Sequence, residues 1–90
     1  MTLTKSKIKS FLNKWVGKED GYKIMSGKEG QLYSEYSSGK WYISFDGSAL
    51  YELFEGYPNF KFVDSFMNFL SGYGYWFERG NSWNCNIYKN

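Results

Sequence analysis

Three changes of hydrophobic period divide the chain. Residues 4–16 place Ile8, Phe11, Leu12, Trp15 and Val16 on one face of a helix, at the i, i+3, i+4, i+7 and i+8 spacing of an apolar stripe. Thr4 is its N-cap and Gly17 its stop. Ser6, Ser10 and Asn13 fall opposite the stripe, with Lys7, Lys14 and Lys18 along one border and Lys5 and Lys9 along the other. Lysine stems commonly lie along such borders with their ammonium groups in water. Solvated flanks are therefore the first reading, and a basic ridge for phosphate or an acidic partner the second.

From Gly21 to Asp46 the period becomes 2. Trp41, Ile43 and Phe45 alternate with Lys40, Tyr42, Ser44 and Asp46, the pattern of a half-buried antiparallel strand. A second strand over Gln31–Ser37, joined to it through Ser38-Gly39, pairs Ser37 with Lys40, Tyr36 with Trp41 and Glu35 with Tyr42. That register puts Leu32, Tyr36, Trp41, Ile43 and Phe45 on the inner face and Tyr33, Glu35 and Tyr42 on the outer one; a slip of one residue would bury Glu35 and Lys40 instead. A strand over Tyr22–Met25, turning through Gly27–Gly30, completes a three-stranded meander.

Helical spacing returns over Ser48–Glu55 and Lys61–Ser71, separated by Gly56-Tyr57-Pro58-Asn59. The second helix carries Phe62, Val63, Phe66, Met67, Phe69 and Leu70 around more than half its circumference, which predicts a central position under the sheet. The first is short, acidic through Glu52 and Glu55, and peripheral.

Two alternating aromatic runs then flank Gly80-Asn81 and predict a closing hairpin. Its loop parity decides which side chains are buried. An even loop places Trp76, Trp83, Cys85 and Ile87 on one face and Tyr73, Tyr75, Phe77, Arg79, Asn84, Asn86 and Tyr88 on the other. An odd loop, such as Arg79–Asn81 with Asn81 in the left-handed region, buries Tyr73, Tyr75 and Phe77 beside Trp83, Cys85 and Ile87. It leaves Trp76, Glu78, Asn84, Asn86 and Tyr88 facing out, and it is preferred because fewer rings meet water.

The expected fold is thus one α+β domain spanning residues 1–90, in the order αβββααββ. About five antiparallel strands, the meander plus the C-terminal hairpin, form its sheet. Two to three helices accompany them, with the first and central helices on one face and the other face partly wet.

Composition narrows the function. Hydrophobic residues at 42% and aromatics at 23% suffice for a core in a 90-residue chain, since one ring buries roughly 150 to 250 Å². A net charge of +2, from 11 basic and 9 acidic residues, is too small to argue for phosphate binding on bulk electrostatics. The single Cys85 and the absence of His argue against disulfides and zinc and fit a reduced, cytoplasmic setting. No secretion signal or membrane span is expected. Abundant Lys, Asn, Tyr, Phe and Ser beside single Ala, Arg and Pro residues fit an AT-rich genome, of a kind common in Firmicutes and their phages.

Candidate chemistry is sparse. Gly21–Lys28 superficially resembles a phosphate loop, but its glycines are separated by five residues and Glu29 stands where Ser or Thr should bind magnesium. Glu52 and Glu55 lack a second wall to split their pKa values, and Cys85 lacks a histidine base. Ser71–Glu78 partly matches the RNP1 element of RNA-recognition motifs at Gly72, Tyr73, Gly74 and Tyr75. Ser71, Trp76 and Glu78 remove its charge and second stacking ring, and the element order differs from βαββαβ, so no relation is inferred.

No enzyme and no cofactor are expected. The leading expectation is a small protein-binding module that docks on a larger host protein or nucleoprotein complex, as a phage-encoded inhibitor of anti-CRISPR or anti-restriction type would. The alternatives are a single-stranded nucleic-acid-binding module using exposed Tyr side chains and the first helix's lysines, and a self-assembling structural subunit. Candidate contact residues are Tyr33, Glu35, Tyr42, Trp76, Arg79, Asn84, Asn86 and Tyr88.

Overall fold

A computed structural model describes residues 2–17, 21–35 and 37–90. The elements run α1 (Lys5–Val16), β1 (Lys23–Ser26), α2 (Gly27–Gln31), β2 (Trp41–Ser44), α3 (Leu50–Phe54), α4 (Lys61–Ser71), β3 (Tyr75–Asn81) and β4 (Asn84–Lys89). The class is α+β, with a four-stranded antiparallel sheet in the order β1-β2-β4-β3. The expectation of about five strands is corrected by one, and the order becomes αβαβααββ.

The missing strand is Gln31–Ser37. Ser26 accepts from the Glu29 amide and Glu29 Oε1 accepts from the Ser26 amide, each at 3.2 Å, a capping box that turns the chain into α2 where β1 ends. Leu32 and Tyr33 follow at 84% and 73% exposure, and the chain descends through turns in which the Tyr33 and Ser34 amides donate to the Gly30 carbonyl. The vacated place beside β2 is taken by β1, with Ile24 opposite Ile43 and Met25 opposite Tyr42. Tyr36, expected opposite Trp41, lies outside the described residues, and Ser26 holds that position. Parity survives the exchange of partners, so Ile43 and Phe45 still face the core, both at 0% exposure.

On that inner face pack α1, α3 and α4. Thr4 caps α1 by accepting from the Lys7 amide, and Gly17 closes it at φ 85°. Ile8, Leu12, Phe62, Phe66 and Leu70 are buried against Ile43, Phe45, Cys85 and Ile87. Phe54 sits at the centre, stacked on Phe45 with centroids 4.6 Å apart and edge-on to Phe62, Phe66 and Phe77 at 4.9, 5.7 and 5.5 Å. Such pairings add to the large area the rings bury. Trp15, on the predicted stripe, is half exposed and touches Phe62 edge-on at 5.3 Å. Among the described residues, no helix is long and apolar enough to cross a membrane.

The opposite face is covered in part, which the sequence reading did not foresee. The chain from α2 to β2 lies over it at close range through three glycines. A Cβ on Gly27 would collide with the Gly39 carbonyl, one on Gly30 with Ser37 and Tyr42, and one on Gly39 with the Ile87 carbonyl. Only a residue without Cβ permits that approach. Tyr42, expected to be exposed, is therefore buried at 3%.

The closing hairpin has the odd parity but not the expected turn. Tyr75, Phe77 and Arg79 pair with Lys89, Ile87 and Cys85, so Tyr75 and Phe77 share the inner face with Cys85 and Ile87. The register shifts between Arg79 and Asn81, leaving Gly80 as a bulge and moving the turn to Ser82-Trp83. Asn81 is not in the left-handed region; among the described residues, no residue other than glycine has positive φ. The asparagines flanking the turn stabilise it instead. Asn84 Oδ1 accepts from the Asn81 amide at 3.1 Å and Asn81 Oδ1 from the Trp83 amide at 3.0 Å. Trp83 consequently sits in the turn at 47% exposure, not on the inner face.

Candidate functional site

The outer face of the sheet carries a branched groove around the α2 cover. One arm, about 320 Å³, straddles the β1 edge between α1 and α2 and is lined by Lys5, Lys9, Tyr22, Lys23, Glu29 and Tyr33, with Ile24 and Met25 as its floor. The other, about 420 Å³, runs from Tyr33 and Ser34 across Tyr42, Ser44 and Asn84 towards Trp83, and the Asp46 carboxylate lines it as well. Lys23, Met25 and Tyr33 line both, so the arms are continuous.

Local sequence explains the positions of the lining groups. Lys23 and Met25 alternate with the inward Ile24, which puts them on the outer face. Tyr33 is carried out by the turn that follows the capping box. Tyr22 Oη donates to Asn13 Oδ1 at 2.6 Å and lies 3.3 Å from the Lys9 carbonyl, fixing the start of β1 against α1 and so setting the width of the first arm. Glu29 is held below its ordinary pKa, first by the Ser26 backbone hydrogen bond, then by the Ser26 hydroxyl and the Lys5 charge.

The contact residues expected from sequence separate into five settings, the last being that of Asn86 beneath Ser38 and Gly39. Tyr33, Tyr42 and Asn84 come together around the second arm. Trp76 and Tyr88 meet farther along the same face, with rings stacked at 4.7 Å and Tyr88 Oη 2.7 Å from Ser38 Oγ; Trp76 is 41% exposed. Glu35 is exposed on the turn after α2 and lines neither arm. Arg79 points to the inner face. Its guanidinium donates to the Phe54 carbonyl at 3.1 Å and the Ser82 carbonyl at 2.7 Å, pairs with Glu55 at 3.2 Å, and lies 5.6 Å from the centroids of Phe45 and Phe54. It ties α3 to the hairpin turn.

The expectation that Asn84 and Asn86 face solvent is corrected: they are 1% and 2% exposed. Asn84 is consumed in part by the turn. Asn86 Oδ1 accepts from the Ser38 and Gly39 amides at 3.0 and 3.3 Å, holding the cover down. A buried amide that bonds the chain above it is a structural bracket.

Sequence reasoning missed Lys23, Trp83 and the joining of Lys5 and Lys9 to Tyr33. The available signal was Ser26-x-x-Glu29, which identifies a helix start and removes the third meander strand. Cys85 is fully buried, and desolvation pushes its thiol well above its ordinary pKa despite the nearby Arg79 charge, so it is a poor nucleophile. Among the described residues, no three His, Cys, Asp or Glu side chains converge as a metal site. The groove presents ammonium groups, phenol and indole rings, hydroxyls, amides and the carboxylates of Glu29 and Asp46. No protein-family model, curated protein or solved structure matches the chain.

Proposed function

We propose that the protein is a non-catalytic binding module that docks on a larger protein of a host cell, in the manner of a phage-encoded inhibitor of anti-CRISPR or anti-restriction type. The observation that carries this reading is the Trp76–Tyr88 stack. The two rings lie across β3 and β4, and β3 is a seven-residue edge strand that, among the described residues, pairs with β4 alone. The Ser38 hydroxyl holds Tyr88 in place, so the pair loses little conformational freedom when a partner docks. Pre-ordered, half-exposed aromatic side chains are the usual anchors of protein interfaces. The compositional skew towards an AT-rich genome favours the phage source, and the small size fits an inhibitor that acts by occupying a surface.

Affinity capture from a bacterial host lysate, run in parallel with wild-type protein and Trp76→Ala, tests the reading. A stoichiometric partner retained by wild type and released by Trp76→Ala supports it. A partner held equally by both, or none at all, contradicts it.

A further inference from the structure

We infer that the groove at the β1 edge binds single-stranded nucleic acid, with Lys5, Lys9 and Lys23 on its phosphates and Tyr33 stacked on a base. This is independent of the protein-docking surface, which lies around Trp76 and Tyr88.

The first ground is charge. Three ammonium groups face one carboxylate across the arm, and that carboxylate, Glu29, is engaged by the Ser26 amide. Among the described residues, none of the three lysines has a carboxylate within ion-pairing distance; the ion pair present there is Arg79–Glu55. The first arm therefore carries a local excess of positive charge, against which stand Glu29 and, in the second arm, Asp46, although the whole chain is close to neutral at +2. The second ground is where the lysines stand. Lys5 opens α1 and the first turn has no acidic residue, the reverse of what the helix dipole favours. Lys9 lies one turn on, on the same side, and the Tyr22 hydroxyl fixes that turn beside Lys23. A bound anion would relieve this arrangement.

The third ground selects among polyanions. Tyr33 is 73% exposed where the two arms meet, and Trp83 is 47% exposed along the second. A basic track interleaved with exposed rings is how single strands are held, because unpaired bases offer a stacking face that a duplex hides. An acidic peptide added to the β1 edge is the competing occupant. It is disfavoured because β1 has four residues, which leaves about two outward-facing peptide groups for a new strand.

The test is fluorescence anisotropy of a labelled oligo-dT of twelve nucleotides, with the same oligomer as a duplex and a labelled poly-glutamate peptide as the other arms. Wild type is expected to bind the single strand, with log affinity falling linearly in log salt. Tyr33→Ala should weaken it roughly tenfold. The triple variant Lys5→Gln, Lys9→Gln, Lys23→Gln should lower the salt slope by about 2, at roughly 0.7 for each phosphate that is no longer neutralised. Lys14→Gln, Lys61→Gln, Lys89→Gln removes the same charge away from the groove and should leave both readings close to wild type. All these side chains are exposed, and unchanged circular dichroism confirms folding. No single-strand binding, an equal effect in the control triple, or equal or tighter binding of duplex or poly-glutamate would overturn the inference.

Discussion

The two faces of the sheet solve opposite problems with neighbouring residues of the same strands. The inner face is dry and aromatic: Phe54 packs on Phe45, Phe62, Phe66 and Phe77, and Ile43, Phe45, Cys85 and Ile87 are fully buried. The outer face alternates with it residue by residue, yet it presents Tyr42 and Asn86 beneath a thin cover that approaches closely through its glycines, and Met25, Ser44 and Asn84 along the groove beside it. The apolar core is concentrated on the first face and the polar and half-exposed groups on the second. A chain of 90 residues has little surplus stability, and this division leaves most of it to the inner face.

Removing a ring from the inner face strains this contrast most. Phe66→Ala should cost about 3–5 kcal/mol in urea unfolding, since Phe66 is fully buried and packs on Phe11, Phe54, Phe62 and Phe77. A cost below about 1 kcal/mol would mean the core lies elsewhere. A Cβ at Gly30 tests the other face. Gly30→Ala must displace Ser37 or Tyr42 and should cost about 1–3 kcal/mol, with amide-exchange protection falling at α2 while α4 keeps its own. Simultaneous falls at both would show that cover and core form one cooperative unit.

Arg79 sharpens the contrast because it comes from the edge strand β3 but serves the inner face. Arg79→Met should cost about 1–3 kcal/mol, chiefly by leaving the part-buried Phe54 carbonyl without its donor. Glu55→Gln should cost under about 1 kcal/mol, because the ion pair is partly exposed and screened. Equal costs would indicate that the ion pair dominates. The capping box gives a small effect that depends on pH. Ser26→Ala should cost about 1 kcal/mol. Because Glu29 is held below its ordinary 4.5, its contribution is complete above that pH and is lost as pH falls through the lowered native value. Amide exchange at α2 should therefore accelerate in acid in wild type, and Glu29→Gln should remove that dependence.

Much of the fold was legible because periodicity reports burial. The 3.6-residue stripes located α1 and α4 nearly to the residue, and the alternation through Trp41–Phe45 placed Ile43 and Phe45 inside. What escaped is what periodicity cannot carry. Leu32–Ser37 alternates acceptably as a strand, but the Ser26–Glu29 hydrogen bonds commit the chain to a turn before that segment begins. The hairpin's inner set followed from keeping rings out of water, whereas the Gly80 bulge and the two asparagine-to-amide bonds that shift the turn are local polar chemistry. Asn84 and Asn86 sit at outward positions by parity yet are buried, Asn86 because the segment around Gly39 lies on it and Asn84 while its side chain bonds the hairpin turn. The same long-range placement brings Lys5, Lys9, Lys23 and Tyr33 together from separate parts of the chain, so no single stretch of sequence announces the groove.

The division between the faces is tested most directly by mapping amide shifts in the labelled protein as the single-stranded oligonucleotide is added. Shifts are expected to gather at Lys5, Lys9, Lys23, Met25, Tyr33, Ser34 and Trp83, while Phe54, Phe62, Phe66 and Leu70 stay in place. Shifts centred on α4, or on the Trp76–Tyr88 edge with the groove unmoved, would contradict it.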